Sequence, residues 1–165
     1  MNVRRARLIR DHFGIGSDRL EISRADLFEL DPQQLGRFDV VALLGIVYHL
    51  ENPIGAMRLA RSLTTSLCVI ESQVTRLDDP VELGYNDGEV IREHGSFAIH
   101  RENPRDTQLS PLAAMPGVVS LIPNRAALVE MALAVGFASA ELVFEPLGSD
   151  GRPIRGDRAI VLARC

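Results

Sequence analysis

The feature that most constrains this chain is an apolar run in its first third, within FDVVALLGIVYHL, where no charged side chain occurs from Val40 to Tyr48. Consecutive apolar residues rich in β-branching, without alternation, are the pattern of a parallel strand covered on both faces. The run therefore predicts a strand in the centre of a sheet. It is far shorter than the ~20 residues of a membrane helix, and the opening MNVRRARLIRDHF puts charges where a signal peptide keeps its apolar stretch. Neither membrane insertion nor secretion is expected. Pro53 then starts a helix on which Ile54, Met57, Ala60 and Leu63 keep helical spacing, and SLCVIESQV follows as a second buried strand. Strand, helix and strand in this order predict a parallel βαβ crossover.

At 165 residues the chain has room for one domain, read as 1–165. Residues 2–13 predict an amphipathic helix with Val3, Ala6, Ile9 and Phe13 on one face, ended by Gly14. Leu20 and Ile22 alternate with Glu21 and Ser23, predicting a short strand at Leu20 to Arg24 that runs into an acidic loop. From Thr75 to Gly117 periodicity vanishes, which predicts a lid or an irregular insertion over 75–117. VVSLIP restores regular structure, Asn124 caps a helix closed by Gly136, and AELVFEP with RAIVLARC read as a closing antiparallel pair.

A net charge of −4 weighs against strong polyanion binding, and every basic residue is arginine. Cys68 and Cys165 offer neither a disulfide framework nor a metal-ligand spacing, so a reducing cytoplasm is the expected setting. His94 and His100, with Glu93 and Glu102, lack the helical register of a metal motif. No metal is expected.

FDVVALLGIVYHLENP resembles the central strand and following loop of class I S-adenosylmethionine-dependent methyltransferases, and its LGxxYHLxNP wording most resembles the tRNA wobble-uridine methyl and carboxymethyl transferases. RADLFEL resembles that family's adenine-binding loop, and LIPNRAALVEMALAVGF its late helix. The resemblance implies an α/β fold: a Rossmann-like sheet of order 3-2-1-4-5-7-6, mostly parallel with a C-terminal antiparallel pair. The first two strands, with their glycine-rich loop and ribose-binding acid, have no counterpart here. GIGS at Gly14 to Ser17 follows a helix and precedes a strand, the reverse of a nucleotide-loop context.

The same resemblance places Asp26 and Leu27 at the adenine and Gly45 at the strand end facing the cofactor. Asp26 also suits a turn cap, and Gly45 a packing role. Tyr48 and His49 leave the central strand toward the crevice mouth, where a phenol and an imidazole can orient a substrate or take its proton. A structural hydrogen-bonding role for His49 is the alternative. Glu71, ending the next strand, is a substrate candidate or an acceptor one layer behind. Arg101 and Arg125 are candidate anion contacts.

The expected activity is methyl transfer from S-adenosylmethionine to an unidentified acceptor, a small molecule or tRNA, incomplete in this chain alone and with weak or absent cofactor binding. In-line displacement on a sulfonium needs positioning more than acid–base help. The rival is a noncatalytic methyltransferase-like module. Losing two strands leaves Val40 to Val47 beside an open edge, which predicts repair by Leu20 to Arg24 or, preferably, by self-association.

Overall fold

The computed structural model describes residues 3–77, 79–86, 89–101, 119–143 and 158–165. They fall into two compact units, Met1–Asp31 and Pro32–Cys165.

The first unit carries helix α1 (Val3–His12) and a 3-10 turn at Leu27–Glu29. Gly14, at φ 63°, adopts the left-handed conformation that stops α1. The strand expected at Leu20 to Arg24 does not form. Arg10 donates to the Leu20 carbonyl (3.4 Å) and Arg7 to that of Ile22 (3.1 Å). The alternation is present, but no strand in this unit pairs with it, and a lone strand closes no ladder.

In the second unit, α2 (Pro32–Leu35) precedes β1 (Phe38–Leu44), a 3-10 turn (Val47–His49), α3 (Pro53–Leu63) and β2 (Thr64–Gln73). Pro53 sits in the first turn of α3, and the Asn52 side chain accepts from Gly55 N (2.8 Å), two local signals that fix where the helix begins. β3 (Val81–Asn86) and β4 (Glu89–Glu93) pair antiparallel, as do β5 (Phe97–Arg101) and β6 (Val119–Pro123). The irregular segment expected over 75–117 is thus largely strand where it is described, and residues 102–118 lie outside the described residues. In sequence, charged and glycine residues interrupt β3 to β5, which is why periodicity misses them, whereas β6 is the VVSLIP segment that the sequence does mark. Helix α4 (Arg125–Ala134), β7 (Ser139–Val143) and β8 (Arg158–Arg164) complete the order.

The main sheet runs β1-β2-β8-β7, with the last strand inserted between the second and the seventh. β1 and β2 pair in parallel through the α3 crossover, as their sequence pattern predicts. The β2–β8 and β7–β8 pairings are antiparallel. One parallel pairing in three corrects the expectation of a mostly parallel sheet. Among the described residues β1 pairs only with β2, Leu43 is its one buried side chain, and the strand stops at Leu44 because Gly45 turns the chain at φ 67°. Leu20 to Arg24 forms no strand, so the first of the two expected repairs does not occur.

The core lies under one face of the sheet. α3 contributes Ala56, Met57, Ala60 and Leu63, α4 contributes Leu128, Met131 and Ala132, and the strands answer with Cys68, Ile70, Val161 and Ala163. Complete burial of side chains such as Ile70 and Met57 stabilises by about 1.5–3 kcal/mol each. Asn124 is the polar hub of this layer. Its Oδ1 accepts from Ala127 N (2.8 Å) and Ser96 N (3.1 Å), and its Nδ2 donates to the carbonyls of Leu77 and His94 (2.7 Å each). A fully buried amide with all four contacts made ties the start of α4 to the segment that follows β2 and to the one between β4 and β5.

Candidate functional site

Where β1 and β2 end side by side, parallel pairing carries Leu44 to Glu71, and the Gly45 N–H donates to the Glu71 carbonyl (3.0 Å). The chain then folds into the 3-10 turn at Val47–His49, anchored by the fully buried Val47. That anchor aims Tyr48 and His49 away from the core, with ring centroids 4.1 Å apart and planes tilted by 41°. β6 steadies the turn: Leu121 N donates to the Leu50 carbonyl, and Val119 N to Glu51 Oε1, both at 3.2 Å.

Arg158 completes the cluster. Its Nε and Nη2 both donate to the Glu71 carboxylate, the latter at 2.9 Å, and its guanidinium carbon lies 5.4 Å from the centre of the Tyr48 ring. The Glu71 carboxylate, aided by hydrogen bonding with Tyr48, makes this guanidinium hold its proton even more firmly than usual. A Cβ at Gly45 would stand in ordinary contact with Arg158 Nη2 (3.6 Å), Glu71 Oε2 (3.6 Å) and the Tyr48 hydroxyl (3.9 Å). The space over Gly45 is a shallow polar cradle, and glycine is needed there for its backbone rather than for room.

Four nominated residues, Gly45, Tyr48, His49 and Glu71, therefore meet in one place. Asp26 and Leu27 belong to the other unit, where the Asp26 carboxylate caps its turn by accepting from Phe28 N (2.9 Å). Arg101 ends β5 and Arg125 begins α4. Glu102 lies outside the described residues. Sequence reasoning missed Arg158, which stands 87 positions from Glu71 and carries no local motif. A separate concavity of about 410 Å³, bounded by Val81, Gly95, Phe97, Ala127 and Met131 with Glu93 and Glu130, contains none of the nominated residues.

Solved structures share this architecture. The N-terminal domain of EvdMO1, solved with SAH bound, matches at TM-score 0.68 and 23% identity over 99% of this chain and 60% of that one. An S-adenosylmethionine dependent methyltransferase from Mesorhizobium loti matches at TM-score 0.58 and 16% identity, over 96% of this chain and 75% of that one. The chain has a methyltransferase fold. The glycopeptide N-methyltransferase MtfA, complexed with S-adenosyl-L-methionine, matches at TM-score 0.52 and 13% identity, over 99% of this chain and 74% of that one. No family model and no curated protein matches the sequence. No helix among the described residues is long and apolar enough to cross a membrane.

S-adenosylmethionine, the cofactor such a fold implies, brings a sulfonium, an amino-acid head, a ribose diol and an adenine, and so asks for open donors and acceptors. At the ends of β1 and β2 the described polar groups answer one another instead. Two guanidinium nitrogens are spent on Glu71, and the space over Gly45 is already lined by this pair and Tyr48. Among the described residues, this cluster does not fit the whole cofactor.

Proposed function

We propose that the chain is part of an S-adenosylmethionine-dependent methyltransferase whose β1–β2 crevice handles the methyl acceptor. The observation that carries this reading is the fold shared over 99% of the chain with a domain solved with SAH bound. Methyl transfer of this kind demands alignment and exclusion of water more than acid–base help. Tyr48 and His49, presented together by one short turn, orient the acceptor, and the His49 imidazole takes its proton. Glu71, fixed by Arg158, faces the same acceptor, with Arg101 and Arg125 as further anion contacts. Gly45 allows close approach, and the resemblance of RADLFEL assigns adenine contacts to Asp26 and Leu27, which belong to the other unit.

Within this reading the LGxxYHLxNP wording argues for kinship with the tRNA wobble-uridine enzymes, whereas the net charge of −4 favours a small-molecule acceptor over a polyanion. A structure of the EvdMO1 domain in the presence of SAH and D-fucose, and the glycopeptide substrate in the name of MtfA, support the small-molecule acceptor. One observation favours a noncatalytic module instead, since Glu71 and Arg158 satisfy each other and leave the cluster closed.

Calorimetric titration with S-adenosylmethionine separates the two. A partial site gives a dissociation constant of ~1 mM, equivalent to about 4 kcal/mol, that weakens further in Tyr48→Ala. Absence of any heat at millimolar cofactor supports the noncatalytic module.

A further inference from the structure

The separate concavity of about 410 Å³ lies wholly within the second unit, bounded by α4, by the paired ends of β3 and β4, and by the segment leading into β5. Its floor is the face of α4 that carries Ala127 and Met131, both buried. Val81 and Phe97 form its apolar walls and remain 43% and 36% exposed, so hydrophobic surface is left open to a ligand.

One wall is fixed in advance. Asn124 N donates to the Ser96 carbonyl (2.9 Å), Ser96 N to Asn124 Oδ1 (3.1 Å) and Asn124 Nδ2 to the His94 carbonyl (2.7 Å), which fastens the segment from His94 to Ser96 onto the start of α4. Gly95 lies close against that helix, because a Cβ there would stand 3.3 Å from Ala127 Cα. The volume falls within the ~300–1,000 Å³ of small-molecule sites, and a wall already held in place needs little ordering when a ligand binds.

Two carboxylates give the concavity its sign. Glu93 borders it from β4 and Glu130 from α4, and among the described residues neither forms an ion pair. Glu93 stands opposite Val81 in the β3–β4 ladder. The residues three and four places from Glu130 along the chain are Ala126, Ala127, Leu133 and Ala134, so neither ladder nor helix supplies a counter-charge. No basic side chain lines the space. Apolar walls flanked by two unanswered carboxylates are complementary to an organic cation with an apolar or aromatic body, and they repel an anion.

We propose that this concavity binds a small amphiphilic amine, its apolar body seated against Phe97 and Met131 and its ammonium held by Glu93 and Glu130. The site shares no residue with the crevice at the ends of β1 and β2.

Backbone amide shifts of the full chain, recorded while tryptamine is titrated to millimolar concentration, locate the site. Saturable shifts are expected at Gly95, Ser96, Phe97, Ala127 and Met131, with little change at Gly45, Tyr48, His49 and Glu71. Indole, which keeps the ring and lacks the ammonium, is expected to bind at least about tenfold more weakly, and indole-3-acetate, which reverses the charge, more weakly still. The double variant Glu93→Gln with Glu130→Gln keeps the shape and removes both charges, and it is expected to bring tryptamine down to the affinity of indole. Absence of saturable shifts around the concavity overturns the proposal. So does equal binding of the three probes, or a folded double variant that binds tryptamine as the parent does. Should the double variant fail to fold, the comparison of the three probes on the parent chain decides.

Discussion

Arg158 reaches diagonally across the β2–β8 ladder, from its own position opposite Gln73 to the carboxylate of Glu71, and grips it with two nitrogens. Diagonal neighbours on one sheet face lie within reach of long side chains, and the planar guanidinium matches a carboxylate at two points where an ammonium offers one. The last strand of the sheet thereby fixes a side chain at the crevice formed by the first two.

Because the Arg158 side chain is about half exposed, the pair is a modest stabiliser. Arg158→Ala is expected to cost less than about 1 kcal/mol in urea denaturation, and Arg158→Lys is expected to recover only part of that. A guanidinium whose pKa is raised in the folded state gives its full stability below the unfolded pKa and loses it as pH climbs from there through the folded one, a window far above neutrality. Arg158 therefore contributes no pH dependence to stability near neutrality. A loss well above 1 kcal/mol for either variant would mean the pair is shielded from water.

Asn124→Ala is expected to be far more damaging. It removes a helix cap and all four hydrogen bonds of a fully buried amide, for a loss of roughly 2–4 kcal/mol. Denaturant midpoints measure it. A loss near zero would show that water replaces the amide.

Those two residues also show what a sequence reveals. Asn124 was legible because a cap acts within three residues of itself, and the same locality exposed Pro53 and the crossover helix. Tyr48, His49, Gly45 and Glu71 were legible because each ends or follows a strongly patterned strand. Arg158 was not, since its role exists only once an antiparallel ladder brings position 158 beside position 71. Leu20 to Arg24 misled for the same reason in reverse. Alternation describes one strand, whereas a ladder needs two, and arginine side chains took two of its carbonyls. β3, β4 and β5 are short and interrupted by charged residues and glycine, so periodicity does not find them, whereas apolar β6 was visible as VVSLIP.

Gly45→Ala tests the backbone at the crevice. A Cβ there meets its neighbours at no less than 3.6 Å, so crowding adds little, and the cost should come from the left-handed φ of 67°, about 1–2 kcal/mol. Gly45→Asn should cost less, because asparagine tolerates that conformation. Equal losses in both would point to contacts instead of backbone.

Burial pushes the Cys68 thiol up to about 11, which keeps it protonated and unreactive, whereas Cys165 is exposed. Ellman's reagent should titrate one thiol in the native chain and the second only on unfolding. A raised thiol pKa leaves stability intact below the unfolded value, roughly 8.5, and removes it as pH climbs through the folded one. Thermal denaturation should therefore show stability falling from about pH 8.5 toward about 11, by up to 1.4 kcal/mol per unit, and Cys68→Ala should flatten that slope.

The central proposal is that the end of the β1–β2 crevice holds the methyl acceptor against the reacting end of S-adenosylmethionine. Backbone amide shifts recorded while S-adenosylmethionine is titrated to millimolar concentration test it most directly. The account predicts progressive shifts at Gly45, Tyr48, His49 and Glu71, with little change at Phe97, Ala127 and Met131 around the separate concavity. Shifts confined to that concavity, or none at the four crevice residues, would contradict it.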